Sequence, residues 1–428
     1  MNYQNAAKHR SKRSLVGLLS AHAVSQIGNV VTLFAVPFYV LSSGGGGVEV
    51  GLAAAFAAIP VVIGGPLGGV ISDRIGYRNA SIAADLTSGI TVLAIPLLAL
   101  TVGLPFWALL ALVFLSGLLD TPGQTARRVL LPELSAAGNI RLERSVGFID
   151  GMERLASMLG APLAGLLVAG LGATNTLFVN AVSFAVSALL TWTIVHPVTA
   201  STSKNPPEQV ARSSYWAELA DGFRFVKDSP LLLALTVLVL LTNFFDAARM
   251  STLMPLYAQQ ELGGAAALGL ILSVFGGGAL LGSILFGFLA HRLPRRLTFV
   301  LCFTLAGGPS IAFFAANLPL EWLVVGCAVS GLAAGSLNPI LGTVQLELVP
   351  PGMRGRVFGL SQAGAWAGMP LGAFIAGLAA DTFSLTLCFL VIGVSYTVVT
   401  LSPLAIPSFR KMEAKDLAKA RLARAEVS

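Results

Sequence analysis

The sequence predicts an all-α membrane protein whose twelve transmembrane helices form two pseudo-symmetric six-helix bundles, and three observations lead there. The first is composition. Of 428 residues 55% are apolar and 11% charged, with a mean hydropathy of +0.81, whereas a water-soluble domain carries roughly 25% charged residues to cover its surface. The second is the recurrence of apolar runs of about 20 residues, the length a helix needs to cross a hydrocarbon layer roughly 30 Å thick. The third is an internal repeat relating the two halves of the chain. A soluble enzyme and a disordered tail are excluded.

The runs are 14–41, 50–72, 79–100, 105–124, 146–170, 175–195, 231–257, 268–290, 297–316, 321–342, 357–380 and 385–406. The first follows Lys8, Arg10, Lys12 and Arg13, which could open a signal peptide, but its apolar stretch is too long for one. The second ends at Asp73-Arg74, and the third begins after Arg78. The fourth closes at Gln124, before Arg127 and Arg128, and the fifth opens after Arg141 and Arg144. Between the sixth and seventh lie Lys204, Arg212, Arg224 and Lys227; between the eighth and ninth, Arg292, Arg295 and Arg296; between the tenth and eleventh, Arg354 and Arg356. Arg410, Lys411, Lys415, Lys419, Arg421 and Arg424 follow the twelfth. Only Arg154 and Arg249 fall inside runs, so the alternate linkers hold acids such as Glu49, Glu261, Glu321 and Asp381 and no bases. The positive-inside rule then places both termini in the cytoplasm, which requires an even number of crossings. A net charge of +7 distributed in this way serves orientation and lipid contact, not nucleic acid.

Residues 1–197 read as an N-terminal six-helix bundle, 198–230 as a cytoplasmic linker, 231–408 as a C-terminal six-helix bundle and 409–428 as a basic cytoplasmic tail drawn to anionic lipid. Within the linker Trp216, Leu219, Phe223 and Val226 recur at helical spacing, which predicts an amphipathic helix on the membrane surface.

The repeat is read directly. Gly69-Val-Ile-Ser-Asp73-Arg74-Ile-Gly76-Tyr77-Arg78 aligns with Gly287-Phe-Leu-Ala-His291-Arg292-Leu-Pro294-Arg295-Arg296 at a constant offset of 218. Pro122 pairs with Pro339 at nearly the same offset, and Gly160-Ala161-Pro162-Leu163 pairs with Gly368-Met369-Pro370-Leu371 at 208. Two halves of common design follow, the parallel-repeat plan of secondary transporters.

These residues resemble the major facilitator superfamily, whose second-to-third-helix loop pattern is met by Gly69, Asp73, Arg74, Gly76 and Arg78. Arg354-Gly355-Arg356-Val357-Phe358-Gly359 and Gly222-Phe223-Arg224-Phe225-Val226 are similar to the drug:proton antiporter branch containing macrolide and tetracycline efflux pumps, including the mycobacterial Tap type. The resemblance implies the major facilitator fold and a gating role for the loop, in which Asp73 accepts from a helix N-terminus and latches one conformation. His291 stands in place of the acid in the second copy. Gly160, Pro162 and Gly165 resemble the antiporter helix-bend motif, with Ala161 where a glycine usually precedes the proline.

An ionisable side chain inside a membrane helix costs about 2.5–3.5 kcal/mol on insertion scales and marks a functional candidate. Here these are Asp85, Asp120, Asp150, Glu153, Arg154, Asp246 and Arg249. Asp150 and Arg154 stand at i,i+4 and can neutralise each other. Asp246 and Arg249, with Asn243, are expected to share a cavity-lining face of the seventh helix. His22, Gln26 and Asn29 form a polar stripe on the first. The resemblance puts an aspartate where Asn29 stands, and an amide cannot carry a proton, so coupling would pass to Asp246, the fifth-helix acids or His22, or be absent.

No phosphate-binding loop, cofactor motif, catalytic set or metal-ligand cluster is present in the sequence, and Cys302, Cys327 and Cys388 are scattered among apolar segments. The expected function, with no cofactor and no enzyme activity, is secondary active transport. It would be proton-coupled efflux of amphipathic drug-like compounds by a monomer in the cell membrane, through walls including Phe34, Phe38, Phe244, Phe245, Trp366 and Met369. The alternatives are a dedicated exporter of one metabolite such as a siderophore, gripped by Arg154 or Arg249, and a non-transporting membrane sensor.

Overall fold

A computed structural model describes residues 2–196, 215–290, 292–350 and 353–413, and these are helical almost throughout. In chain order the helices are α1 (Asn2–Ser42), α2 (Gly47–Ile75), α3 (Tyr77–Thr101), α4 (Phe106–Ala137), α5 (Leu142–Leu171), α6 (Ala173–Ile194), α7 (Tyr215–Asp228) and α8 (Pro230–Ala247). A π-helical segment, Ala248–Leu253, joins α8 to α9 (Met254–Glu261); then come α10 (Ala265–Leu289), α11 (Arg295–Ala315), α12 (Leu320–Leu348), α13 (Arg354–Trp366), α14 (Gly368–Thr382) and α15 (Leu385–Ala405). Among the described residues eleven helical segments are long and apolar enough to cross a membrane, and the apolar stretch Gly47–Ile63 of α2 adds a shorter one. Trp107 and Phe288 are each 72% exposed on their surfaces. Helices that present large apolar side chains outward require lipid around them, and the chain is a multi-pass membrane protein.

The helices outrun the apolar runs. Hydropathy marks only the stretch that lipid solvates, while the backbone has no reason to stop coiling where charge begins. Arg127 and Arg128, expected in a linker, therefore lie inside α4, and Arg78 and Arg295 sit in the first turns of α3 and α11. Two connections contract to a single glycine, Gly76 between α2 and α3 and Gly172 between α5 and α6, at φ 83° and 81°. A side chain at that φ would be strained, so only glycine turns the chain so sharply at little cost.

Two expected single helices are subdivided. The eleventh run breaks at Ala367 into α13 and α14, leaving Pro370 in the first turn of α14, where its missing N–H matters least. In the seventh run Pro255 cannot bond the carbonyl of Ser251 and its ring crowds that carbonyl, which lies in the π segment.

Packing divides the described helices into two units. One comprises α1 to α6 with Met254–Ser273; the other holds α7, α8, the π segment and the helical residues from Val274 onward. Inside the first, α3 packs on α4 and α6, and α1 on α5 and α6; inside the second, α11 packs on α12 and α15, and α8 on α14 and α15. Neighbour relations thus repeat as the sequence offset requires.

In the second unit α10 meets α12 through two small-residue ridges, Gly278 and Gly282 against Gly331 and Gly335. A Cβ at Gly282 would collide with the Leu332 carbonyl oxygen, and one at Gly331 with that of Phe275. Lipid offers helices no hydrophobic drive to associate, so close backbone approach takes its place. Gly282→Ala is expected to lower stability by about 1–3 kcal/mol, read as an earlier thermal unfolding in detergent. Gly277→Ala, whose Cβ meets nothing within 4 Å among the described residues, serves as the neutral comparison.

Candidate functional site: buried charge in both units

In the first unit α3, α4 and α6 enclose a fully buried ion pair. Arg127 Nη1 donates to both oxygens of Asp85, at 2.9 and 3.0 Å, and both side chains are 0% exposed. Ser187 on α6 donates to Asp85 Oδ2 at 2.7 Å, and Ser81 accepts from Arg127 at 3.4 Å. Two turns earlier on α4, Asp120 approaches Arg127 Nη2 at 3.5 Å. Its Oδ2 accepts from Asn29 Nδ2 of α1 at 2.8 Å and from Gln124 Nε2 at 2.6 Å. Gln26 accepts from Asn29 at 3.4 Å, so two members of the expected α1 stripe join this cluster. Asp120 and Arg127 share a helix face because seven residues span two turns. Asp85 reaches them because α3 packs antiparallel beside α4.

The third member of the stripe, His22, goes elsewhere. It is buried, and since a carboxylate can only accept, its Nε2 donates to Glu153 Oε1 of α5 at 3.1 Å. Arg128 donates to the same oxygen at 2.7 Å. Asp150 and Arg154 have side chains outside the described residues, as do Asp73 and Arg74 of the loop motif, while Gly69 lies within α2.

The remaining loop residues are placed. Gly76 makes the turn before α3, and Arg78 donates from Nε to the Val195 carbonyl at 2.5 Å and from Nη2 to that of Trp192 at 2.6 Å. A guanidinium thus caps the C-terminal carbonyls of α6, where the helix dipole favours a cation. Its repeat mate Arg296 does the same for α15, donating from Nη2 to Pro403 and Leu404 carbonyls at 2.8 and 2.7 Å. Such duplicated contacts show that the shared loop pattern ties the third helix of each half to the end of the sixth.

The second unit carries a smaller cluster at the entrance to the π segment. Arg249, 3% exposed, bonds Asp246 Oδ1 at 3.0 Å and Ser310 Oγ of α11 at 2.8 Å, while Asp246 is 37% exposed. Asn243 does not join them: it donates to the Ala365 carbonyl at 3.0 Å and pins α8 to α13. Phe244 and Phe245 stand edge to face at 5.3 Å, and Phe34 and Phe38 are stacked at 5.4 Å and buried.

The expected bend motif sits on a packing face. A Cβ at Gly160 would lie 2.7 Å from Val30 of α1, and one at Gly165 2.8 Å from the Ala265 carbonyl, with Pro162 between them inside α5. Its repeat mate Gly368 approaches the Leu240 carbonyl of α8, a Cβ there lying 2.9 Å away.

Sequence reasoning missed the partner of Asp85. Arg127 was assigned to a linker because hydropathy falls at Thr125. The signal that could have found it is the continuation Val129-Leu130-Leu131, which keeps the helix going, together with the two-turn spacing to Asp120. Among the described residues no group of three or more His, Cys, Asp or Glu side chains could hold a metal ion.

Paired helical repeats around buried charge define a class, the secondary membrane transporters, and the comparisons agree. The model of the Major Facilitator Superfamily matches residues 18–265 and 238–426. The chain belongs to that superfamily. It is 28% identical over 402 residues to Multidrug efflux pump Tap of Mycolicibacterium fortuitum, covering 93% of this chain and 97% of that one. It is 24% identical to Macrolide efflux protein A of Streptococcus pyogenes, covering 92% and 96%. Among solved structures, nucleoside transporter NupG aligns at TM-score 0.69 with 17% identity over 95% of this chain and 99% of that one. A D-xylose-proton symporter aligns at 0.67, with 16% identity over 92% and 96%. At such identities these structures show the fold.

Removing one partner of a buried ion pair strands the other charge. Arg127→Gln, which removes the one cation beside both Asp85 and Asp120, is therefore expected to cost about 3–5 kcal/mol of stability, measured by thermal unfolding of the detergent-purified protein. A change at the exposed Arg128, to Gln, should cost no more than about 1 kcal/mol.

Proposed function

We propose that this chain is a proton-coupled exporter of amphipathic, drug-like compounds that works by alternating access as a monomer in the cell membrane, with both termini cytoplasmic. The observation that carries the reading is the end-to-end likeness to Multidrug efflux pump Tap, which spans almost all of both chains. Macrolide efflux protein A supports the same class of compound. Orientation rests on the strict alternation of basic linkers.

Coupling is supported by the buried charges. A helix bundle that only needed to pack would fill these positions with apolar side chains, since burying an ion pair in place of them gains nothing and often costs stability. Ionisable groups at membrane depth are retained where something is bound or moved. Asp246, Asp120, Asp150, Glu153 and His22 are the candidate proton carriers, with Gln26, Asn29 and Asn243 as polar neighbours and Arg249 and Arg154 as candidate grips for substrate. The loop of Gly69, Asp73, Arg74, Gly76 and Arg78 acts as the gate latch, and Gly160, Pro162 and Gly165 let α5 adjust against its neighbours.

One observation favours a second reading. Arg249 is buried with Asp246 and Ser310 as partners, and its Nε carries no hydrogen bond. A guanidinium so placed could grip the anionic group of one dedicated metabolite once Asp246 is neutralised.

The deciding experiment is transport in proteoliposomes with an imposed pH gradient, using ethidium, erythromycin and tetracycline as probes. The proposal expects two or more of them to be moved, with a protonophore abolishing accumulation. Movement indifferent to the gradient removes the coupling, and movement of none removes the drug-export reading in favour of the dedicated exporter. In the same assay Asp73→Asn is expected to slow transport by about tenfold or more, equivalent to ~1.4 kcal/mol, with unchanged protein yield. Wild-type rates in that variant would exclude the latch.

A further inference from the structure

Three charge clusters among the described residues differ in burial and in how their charges sum. Asp246 faces one arginine, Arg249, in a one-to-one pair. Glu153 faces Arg128 and can also draw on His22. Around Arg127 there are two carboxylates and one guanidinium, with Asp85, Arg127 and Asp120 at 0%, 0% and 5% side-chain exposure. Fully ionised, that cluster holds one net negative charge away from water, an arrangement that burial strongly opposes. One proton brings it to neutrality.

The hydrogen bonds say where the proton goes. Both oxygens of Asp85 are occupied by Arg127 Nη1, and Oδ2 also takes Ser187. On Asp120 both donors, Asn29 and Gln124, converge on Oδ2. Oδ1 is buried and accepts no hydrogen bond, and Arg127 Nη2, 3.5 Å away, has no acceptor either. Two oppositely charged atoms thus stand 3.5 Å apart, an ion-pair contact without a hydrogen bond. We propose that Asp120 Oδ1 is the exchangeable proton site, and that Arg127 is a positioning residue that moves between Asp85 and Asp120 as the proton comes and goes. This rests on the coupling reading above and names the residue that performs it.

The step balances simply. An O–H bond forms on Asp120 Oδ1 with a proton taken from hydronium at the half-buried Gln26 and Asn29 side, leaving water, and the same bond breaks on release. With Oδ1 protonated, Arg127 belongs to Asp85 on α3. With the proton gone, Nη2 closes on Oδ1 and its hold on Asp85 loosens, which changes how α3 and α4 grip one another. Of the other ionisable groups on elements packed against α4, Arg78 lies on α3 and is spent on α6 carbonyls, Glu49 is bonded to the Gly46 amide at the start of α2, and His22 and Glu153 bond each other across α1 and α5. Lys12 and Arg13 lie toward the start of α1, and Arg128 and Glu133 are on α4 itself. Asp73, Arg74, Glu143, Arg144, Asp150 and Arg154 have side chains outside the described residues.

The test uses the full-length protein with ethidium as probe. Gradient-driven accumulation is measured in liposomes, and proton release on ethidium addition is followed with a pH-indicator dye in detergent. Asp120→Asn is expected to reduce accumulation by roughly tenfold or more and to release no proton, while Asp120→Glu restores both. Wild-type proton release from Asp120→Asn, or equal failure of the Asn and Glu variants, overturns the assignment. Should Asp120→Asn not yield folded protein, Asn29→Asp adds a second carboxylate beside Asp120 and is expected to move the pH midpoint of transport upward by about one unit or more; an unmoved midpoint overturns the assignment equally. A wild-type protein whose transport ignores the gradient defeats the coupling reading itself, whereas coupled wild type with an equally coupled Asp120→Asn defeats this assignment alone.

Discussion

A solvent that cannot form hydrogen bonds governs the structure. In hydrocarbon every unpaired amide or charge costs several kcal/mol, so each polar group must find its partner inside the protein. Helices answer this for the backbone, and at the ends of α6 and α15, where carbonyls run out of amides, Arg78 and Arg296 supply the missing donors. The same constraint makes Arg127 the most demanding residue of the first unit. A guanidinium at zero exposure is tolerable because Asp85 and Asp120 lie beside it.

Lipid also removes the usual reason for helices to associate, and small residues take over. Gly282 and Gly331 bring the backbones of α10 and α12 into contact, and Gly368 and Gly372 do the same between α14 and α8. Dispersion between close backbones then replaces water exclusion as the source of cohesion. Packing faces and candidate bend sites fall on the same residues, Gly160 and Gly165 among them.

The two units share a plan but not a charge pattern. Repeat mates keep the structural work: Arg78 and Arg296 cap equivalent helix ends, and α3 with α4 corresponds to α11 with α12. The ionic work has diverged. At the level of Asp120 the second half has Leu337, and at that of Arg127 it has Val344, at the offset of Pro122 from Pro339. Asn29 corresponds by the same offset to Asp246, so one half carries an amide at the sequence position where the other carries a carboxylate. Duplication supplied two scaffolds, and charge was then concentrated unequally between them.

What the sequence determined alone was everything set by one-dimensional spacing. Apolar run length announced the crossings, and the offset of 218 announced the two halves. Membrane-depth charges such as Asp85, Asp120 and Asp246 stood out because lipid makes them expensive wherever they pair. Tertiary structure alone decided the partners. Hydropathy falls at Thr125 and so assigned Arg127 to a linker, yet α4 continues to Ala137 because helical hydrogen bonds are indifferent to the polarity of the side chains outside them. Asn243 shares a helix face with Asp246 but bonds a backbone on α13, and His22 leaves its own stripe for Glu153 on α5. Those choices depend on which helix lies alongside and at what height, a relation between distant segments that no local periodicity encodes.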